Sequence, residues 1–418
     1  MTNIKNPRRE FIRSTIAGCV FLSTPTIGAA IAHANDKQAT DTKNKKVVWI
    51  MLRGAMDSLH AVIPAFDPDY FAYRANILND IKGSLLPLDN GFALHPAFKH
   101  LHQLYKNKQF SPVIAVASGY RERSHFDAQD QMESGLNDID HENGWMARAL
   151  QQYHGQGLAI SRTVPIALRT SKEPSASKEP SASKEPSASK EPSANKEPSA
   201  NKNKEPLTIT WYPSSFKAAD DDLLDQLELL YENDEELATL LQQAKEQRDK
   251  PNMMSTGKTR PKFTLLANRC GEILQNDDNI NCAMLEVGGW DTHNNQAGRL
   301  HRQFTMLDEG IQSLQEGLGE SFKDTLVIVT TEFGRTVALN GTAGTDHGTA
   351  SCLFMLGGNI PQGGQVLGKW PGLSQNHLFE ARDLMPTSDV RTWIARGLQH
   401  HWGLKQVQIN TIFPDLSA

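Results

Sequence analysis

Asp57, His125, Asp291, His293, Glu332, Asp346 and His347 are residue types that hold divalent metal ions, and each stands in a polar or glycine-rich segment beside an apolar run. Asp291 and His293 lie two residues apart in Gly288-Gly289-Trp290-Asp291-Thr292-His293. In a loop, that spacing lets a carboxylate oxygen and an imidazole nitrogen enter one coordination sphere, a donor pair that zinc or manganese accepts. Asp346-His347 sits in the glycine-rich stretch from Gly341 to Gly348, just before another apolar run. Glu332 ends the most apolar run of the chain and is followed by Phe333-Gly334-Arg335-Thr336. A carboxylate so placed either binds a cation or pairs with a base such as Arg335. Asp57 follows Arg53-Gly54-Ala55-Met56; it reads as a metal ligand or, taken alone, as the cap of a helix from Leu59 onward.

The segment from Gly119 to Gln129 offers a second chemistry. If a helix starts there, its first amides together with Arg121 and Arg123 form a clamp for phosphate or sulfate, and Ser124 becomes a hydroxyl nucleophile. The plainer role for Ser124, capping the helix, is equally consistent with its position. His125 and Asp127 are further ligand candidates in the same run.

Donors this far apart in sequence meet only if a sheet brings strand ends together, so the intervening pattern decides the matter. Lys46 to Leu52, Pro112 to Ala117, Cys282 to Val287, Thr325 to Thr331 and Ser351 to Leu356 are short apolar or β-branched runs bounded by Gly, Pro or polar residues, as buried strands are. Ala219 to Arg248, Phe263 to Leu274, Gln296 to Leu318 and Ser388 to His401 carry helical spacing; Leu300, Phe304, Leu307 and Ile311 form one stripe. Strands alternating with helices predict an α/β fold with a largely parallel central sheet and helices on both faces, and such sheets place ligands at the carboxyl ends of their strands.

The 418 residues are 39% apolar, enough for a core, and the net charge of −5 argues against a nucleic-acid partner, which would select a concentrated basic surface. Arg8-Arg9-Glu10-Phe11-Ile12, the apolar stretch Ile16 to Ala32 and Ala32-His33-Ala34 read in order as a twin-arginine export signal over residues 1–34. The expected partner is the corresponding export machinery, and the expected product is periplasmic with no stable membrane span. Cys270, Cys282 and Cys352 remain after the leader, an odd number without C-x-x-C spacing. Cys270 and Cys282 could pair, though buried free thiols are the more ordinary outcome. Residues 170–206 repeat Ser-Lys-Glu-Pro-Ser-Ala with drift. Proline in every unit and no apolar side chain larger than Ala mark the segment as disordered and inserted within one domain, 35–418. The β-type runs Val164 to Leu168 and Leu207 to Tyr212 flank it.

Taken in order, these motifs resemble the alkaline-phosphatase-like superfamily of sulfatases, phosphomonoesterases and cofactor-independent phosphoglycerate mutases. Nearly the whole chain is similar to the secreted domain-of-unknown-function 1501 family, on Arg53-Gly54, Arg123-Ser124-His125-Phe126-Asp127, Gly289-Trp290-Asp291-Thr292-His293, Glu332-Phe333-Gly334-Arg335-Thr336 and Gly344-Thr345-Asp346-His347-Gly348. The resemblance implies an alkaline-phosphatase-like fold, one metal site from Asp291, His293 and His347, and a second from Asp57, Glu332 and Ser124. It also implies a divalent metal cofactor, zinc or manganese before calcium or magnesium, and a small anionic ester as substrate. Glu332-Phe333 departs from the Asp-His pair of two-metal relatives, so His125 substitutes or one metal binds. The formylglycine context of sulfatases is absent around Ser124. The expected function is a metal-dependent hydrolase of phosphate or sulfate esters; the alternative is a non-catalytic secreted protein that keeps the fold and a structural metal. An α/β-hydrolase is excluded by the lack of a G-x-S-x-G elbow.

Overall fold

Lys46–Arg53 is apolar on both alternating sets of side chains, and both sets are buried. Val48, Ile50 and Leu52 point to one face of the sheet, against Phe263, Ala267 and Cys270 of one helix and Leu300, Phe304 and Leu307 of another. Val47, Trp49 and Met51 point to the other, against Trp145, Ile394 and Ile412. Period-two alternation sends neighbours to opposite sides, so a strand apolar throughout must be covered on both. A fully buried large apolar side chain contributes about 1.5–3 kcal/mol. Trp49 is fully buried without stranding its polar atom, because its Nε1 donates to Thr330 Oγ1 at 2.9 Å.

The computed structural model describes residues 44–170, 208–213 and 261–416. The leader at 1–34, the repeat apart from Thr170 and the helix expected over Ala219 to Arg248 lie outside the described residues. In chain order the strands are β1 Lys46–Arg53, β2 Val62–Pro64, β3 Leu86–Pro87, β4 Phe92–Leu94, β5 Phe110–Ala117, β6 Gln156–Ala159, β7 Thr208–Thr210, β8 Ile280–Gly288, β9 Thr325–Thr331, β10 Ser351–Gly357 and β11 Ser388–Asp389. Eight of them form one sheet in the order β11-β5-β10-β9-β1-β8-β6-β7, and β2, β4 and β3 form a small second sheet. Within the large sheet only β10 is antiparallel to its neighbours.

That single reversal matters for position. The chain leaves β5, β1, β8 and β9 at one edge of the sheet, and because β10 runs the other way it is entered from that same edge. Residues after β5, β8 and β9 and residues before β10 are therefore neighbours.

The strands follow the sequence pattern closely, as do the helices Phe263–Asn276, Gln296–Leu318 and Val390–Trp402. Val164 to Leu168 does not form the expected strand. Pro165 begins a tight 3-10 turn over Ile166–Leu168, closed by Leu168 N donating to Pro165 O at 3.1 Å. Cys270 and Cys282 are buried free thiols, as is Cys352. Cys270 belongs to the core on one side of the sheet and Cys282 to the core on the other, so they cannot pair. No helix among the described residues is long and apolar enough to cross a membrane.

Candidate metal centre

His125 opens the helix His125–Ser134 after β5, Asp291 and His293 follow β8, and His347 precedes β10. Their ligand atoms converge. His347 Nε2 stands 3.0 Å from His125 Nε2 and 3.0 Å from His293 Nε2. Asp291 Oδ1 lies 2.9 Å from His293 Nε2, 3.4 Å from His347 Nε2 and 3.6 Å from His125 Nε2.

Two glycines let these loops approach. Gly54 follows β1 with φ +116°, and a Cβ there would lie 2.6 Å from Asp291 N. A Cβ on Gly344 would fall 2.1 Å from the carbonyl carbon of His293. Any larger residue forces the β8 loop away from β1 or from the segment that carries His347.

Each imidazole has its other nitrogen on an acceptor. His125 Nδ1 is 2.7 Å from Glu332 Oε1, His293 Nδ1 is 3.3 Å from Asp346 Oδ1, and His347 Nδ1 donates to Arg123 O at 3.0 Å. An acceptor at Nδ1 fixes the proton there and leaves Nε2 as a lone pair. Three lone pairs and a carboxylate oxygen thus crowd together, each at contact distance from at least two of the others, which is repulsive unless a cation stands among them. A tetrahedron with metal–nitrogen bonds of 2.0–2.1 Å has edges of about 3.3 Å, and the five separations above bracket that length. The donor set fits a divalent metal.

Beneath the cluster is Arg335, fully buried, donating to the carbonyls of Gly54 at 2.5 Å, Ala55 at 2.8 Å and Thr345 at 3.1 Å, and to Asp291 Oδ1. Burial works to raise the Asp291 carboxyl, but the Arg335 hydrogen bond and charge, followed by those of His293 and His125, hold it below its ordinary value. His347 is pushed below the usual imidazole range by burial, then by the charges of His125 and Arg335.

Glu332 does not join the inner set. Its Oε1 already accepts from Gly54 N at 2.7 Å, His125 Nδ1 at 2.7 Å and Gln129 Nε2 at 2.9 Å, and its Oε2 from Thr331 Oγ1 at 2.8 Å. Burial opposes its ionisation, yet these donors, His125 first, keep the carboxyl low. Asp346 is also one shell out: its Oδ1 takes Asn340 Nδ2 at 3.1 Å as well as His293. The Asn340 hydrogen bond, against a smaller burial effect and aided by His293, lowers its carboxyl.

Asp57 is elsewhere. Its carboxylate is taken up by Arg74 at 2.6 Å and by Gln296 Nε2 at 2.8 Å, wholly buried, and it makes no side-chain cap. Burial favours the neutral acid, but the Arg74 charge and hydrogen bond, with help from His60 and Gln296, hold it ionised. An internal guanidinium thus occupies Asp57, and the second site expected from Asp57, Glu332 and Ser124 is not assembled. Among the described residues, the one group of three or more ligand-type side chains with metal-holding spacing is His125, Asp291 and His347, and His293 stands beside its last two members.

Ser124 holds the cap position of His125–Ser134 without a side-chain cap hydrogen bond. It directly precedes His125, and its amide donates to Tyr120 Oη at 3.3 Å, whose hydroxyl is 3.2 Å from Asp127 Oδ2. Arg121 turns to the carbonyls of Ser118 and Tyr120, at 2.5 and 2.8 Å. Arg123 is held by Glu380 and Asp383, so neither arginine stands free as the clamp expected from sequence.

Gln129, Arg74 and Arg335's bond to Asp291 were not legible as parts of a site. Gln129 had a signal: it is one helical turn beyond His125, so both side chains reach the same Glu332 oxygen.

The family described as "Protein of unknown function (DUF1501)" matches residues 121–413. The chain belongs to this family. The matched span of this DUF1501 member contains every residue of the imidazole and carboxylate cluster and its Nδ1 acceptors. No curated protein sequence matches the chain. Solved structures similar to it include an alkaline phosphatase from the Antarctic bacterium TAB5, 10% identical with a TM-score of 0.36 over 89% of this chain and 98% of that one. The PsFucS1 sulfatase from Pseudoalteromonas sp. is 12% identical with a TM-score of 0.38 over 96% of this chain and 72% of the other. The lipoteichoic acid synthase LtaP from Listeria monocytogenes is 12% identical with a TM-score of 0.35 over 87% and 73%.

Proposed function

We propose that this DUF1501 protein is an exported hydrolase of phosphate or sulfate esters that depends on one divalent metal held by His125, Asp291, His293 and His347. The observation that carries the metal reading is the approach of His347 Nε2 and Asp291 Oδ1 to each other and to the Nε2 atoms of His125 and His293, at 2.9–3.6 Å. Three imidazole nitrogens favour zinc over manganese, calcium or magnesium. When bound, such a cation would supply a positive charge that polarises an ester oxygen and offsets charge in the transition state.

The chain's own groups supply the rest. Glu332, Asp346 and the Arg123 carbonyl fix the three imidazoles, and Arg335 fixes Asp291. The side chains of His293 and Asp291 are 42% and 44% exposed, so a small anionic ester can reach the cluster from solvent. Ser124, its hydroxyl not used for capping and next to His125, is the nucleophile of this reading. The leader on residues 1–34 would send the folded protein to the periplasm.

A second reading rests on the same geometry. If all four side chains bind one ion they fill its coordination sphere, as in structural metal sites, whereas catalytic ones keep a position open. That would make the protein a secreted binding or assembly factor. Metal analysis of the purified protein, with hydrolysis assays on aryl phosphate and aryl sulfate before and after chelation, separates the two. Chelator-reversible turnover that Ser124→Ala abolishes while metal stays bound is the expected result. Metal without turnover on either ester class supports the second reading, and absence of stoichiometric metal defeats both.

A further inference from the structure

Three guanidiniums gather beside the cluster. Arg123 Nη2 is 2.5 Å from Glu380 Oε2 and 3.0 Å from Asp383 Oδ2. Arg382 Nη2 donates to His347 O at 2.8 Å and lies 3.2 Å from Asp383 Oδ2. Arg121 and Arg382 are close enough for their charges to act on Glu380. The group is tied to the centre from two directions, since the Arg123 carbonyl accepts from His347 Nδ1 and Arg382 donates to the carbonyl of the same residue.

The two carboxylates among these arginines are not alike. Asp383 is fully buried, bonded by Thr349 Oγ1 at 2.9 Å and flanked by Arg382 Nε at 3.0 Å, and it acts as a fixed post. Glu380 has a side chain 57% exposed, and Arg123 is its one hydrogen-bond partner among the described residues. Its backbone is left-handed, φ 50°, as is that of Ala381, φ 54°, a conformation that costs non-glycine residues energy and persists where the surroundings impose it. If Glu380 turns to solvent, Arg123 and Arg382 share the one carboxylate of Asp383, and Arg121 keeps the more distant charge of Asp389.

We infer that Arg121, Arg123 and Arg382 form an oxyanion subsite beside the imidazole cluster, that Glu380 occupies it as an internal stand-in, and that the substrate carries a second anionic group that displaces Glu380. This deepens the hydrolase reading and rests on it for the word substrate. A planar guanidinium matches the paired oxygens of phosphate, sulfate or carboxylate. Esters bearing an additional phosphate, sulfate or carboxylate would then be preferred over those whose only charge is at the reacting group.

The test is calorimetric titration of inorganic phosphate, at low salt, into wild type, Glu380→Gln and Glu380→Gln/Arg121→Gln, each metal-loaded and chelator-stripped. Glu380 is exposed, so its substitution leaves packing intact; thermal melts check all three proteins. Removing one exposed competing charge should tighten phosphate binding about fivefold in both metal states, and the second substitution should cancel the gain. Equal affinity in wild type and Glu380→Gln, or a gain that survives loss of Arg121, overturns the subsite. Because the stripped protein needs neither metal nor turnover, that outcome is distinct from failure of the hydrolase reading, which the metal analysis reports.

Discussion

Glu332→Gln tests whether the carboxylate acts on the metal or on the histidine that would hold it. The substitution preserves shape and removes a charge. On the geometry above, Oε1 is filled by Gly54 N, His125 Nδ1 and Gln129 Nε2, and Oε2 by Thr331 Oγ1. Glu332 is then an orienter of His125, and loss of such an orienter weakens metal binding about 10- to 100-fold, equivalent to about 1.4–2.8 kcal/mol. The metal should remain bound at the original stoichiometry with the same number of nitrogen donors. Competition against a chromophoric chelator measures the affinity, and X-ray absorption counts the donors. Asp57→Asn is the control: it sits on Arg74 and should leave metal affinity unchanged, while stranding a buried guanidinium at a cost of about 3–5 kcal/mol in chemical unfolding. If Glu332→Gln leaves metal affinity untouched, or Asp57→Asn lowers it by the larger factor, the assignment of inner and outer residues is wrong.

His60, His95 and His401 are buried and pushed down to about 4, about 3 and about 4, in each case chiefly by desolvation. Below pH 6.5 the unfolded chain takes up protons that the folded one refuses, so stability should fall as pH drops from 6.5, by about 2 kcal/mol per histidine at pH 5; urea midpoints that do not change between pH 7 and pH 5 would contradict this. Gly54→Ala places a Cβ against Asp291 N at a left-handed position, and both melting temperature and metal affinity should drop, whereas a wild-type metal titration would show that the close approach is dispensable. Cys270, Cys282 and Cys352 are buried, and burial drives each thiol's pKa up; none should react with a thiol reagent until the protein is unfolded, and labelling of the native state at any of the three would refute the packing described.

The parts of this molecule legible in its sequence are those where local pattern and tertiary need agree. Thr325 to Thr331 and Gln296 to Leu318 are bounded in the structure as the pattern predicts, because one is buried on both faces and the other on a stripe. The short elements escaped: Phe92–Leu94 and Gln156–Ala159 have too few residues for a period to show, and Val164 to Leu168 looked extended until Pro165 turned it. At the centre, residue type and loop position were enough to name His125, Asp291, His293 and His347. They did not rank the carboxylates. Whether Asp57 or Glu332 faces the imidazoles depends on which donors reach it first, and Arg74, Gln129 and the Gly54 amide are distant in sequence or carry no side-chain signature. Arg335, which the sequence offered Glu332 as the alternative to a cation, instead crosses beneath to Asp291.

The placement of β7 at the outer margin of the large sheet, beyond β6 and β8, fixes where the Ser-Lys-Glu-Pro-Ser-Ala tract joins the fold. Thr170 and Thr208, where the described chain stops and resumes, lie on that flank, and the ligand-bearing loops issue from β5, β8, β9 and β10 nearer the middle. A change of length confined to the segment between Thr170 and Thr208 therefore enters and leaves the described fold away from those loops.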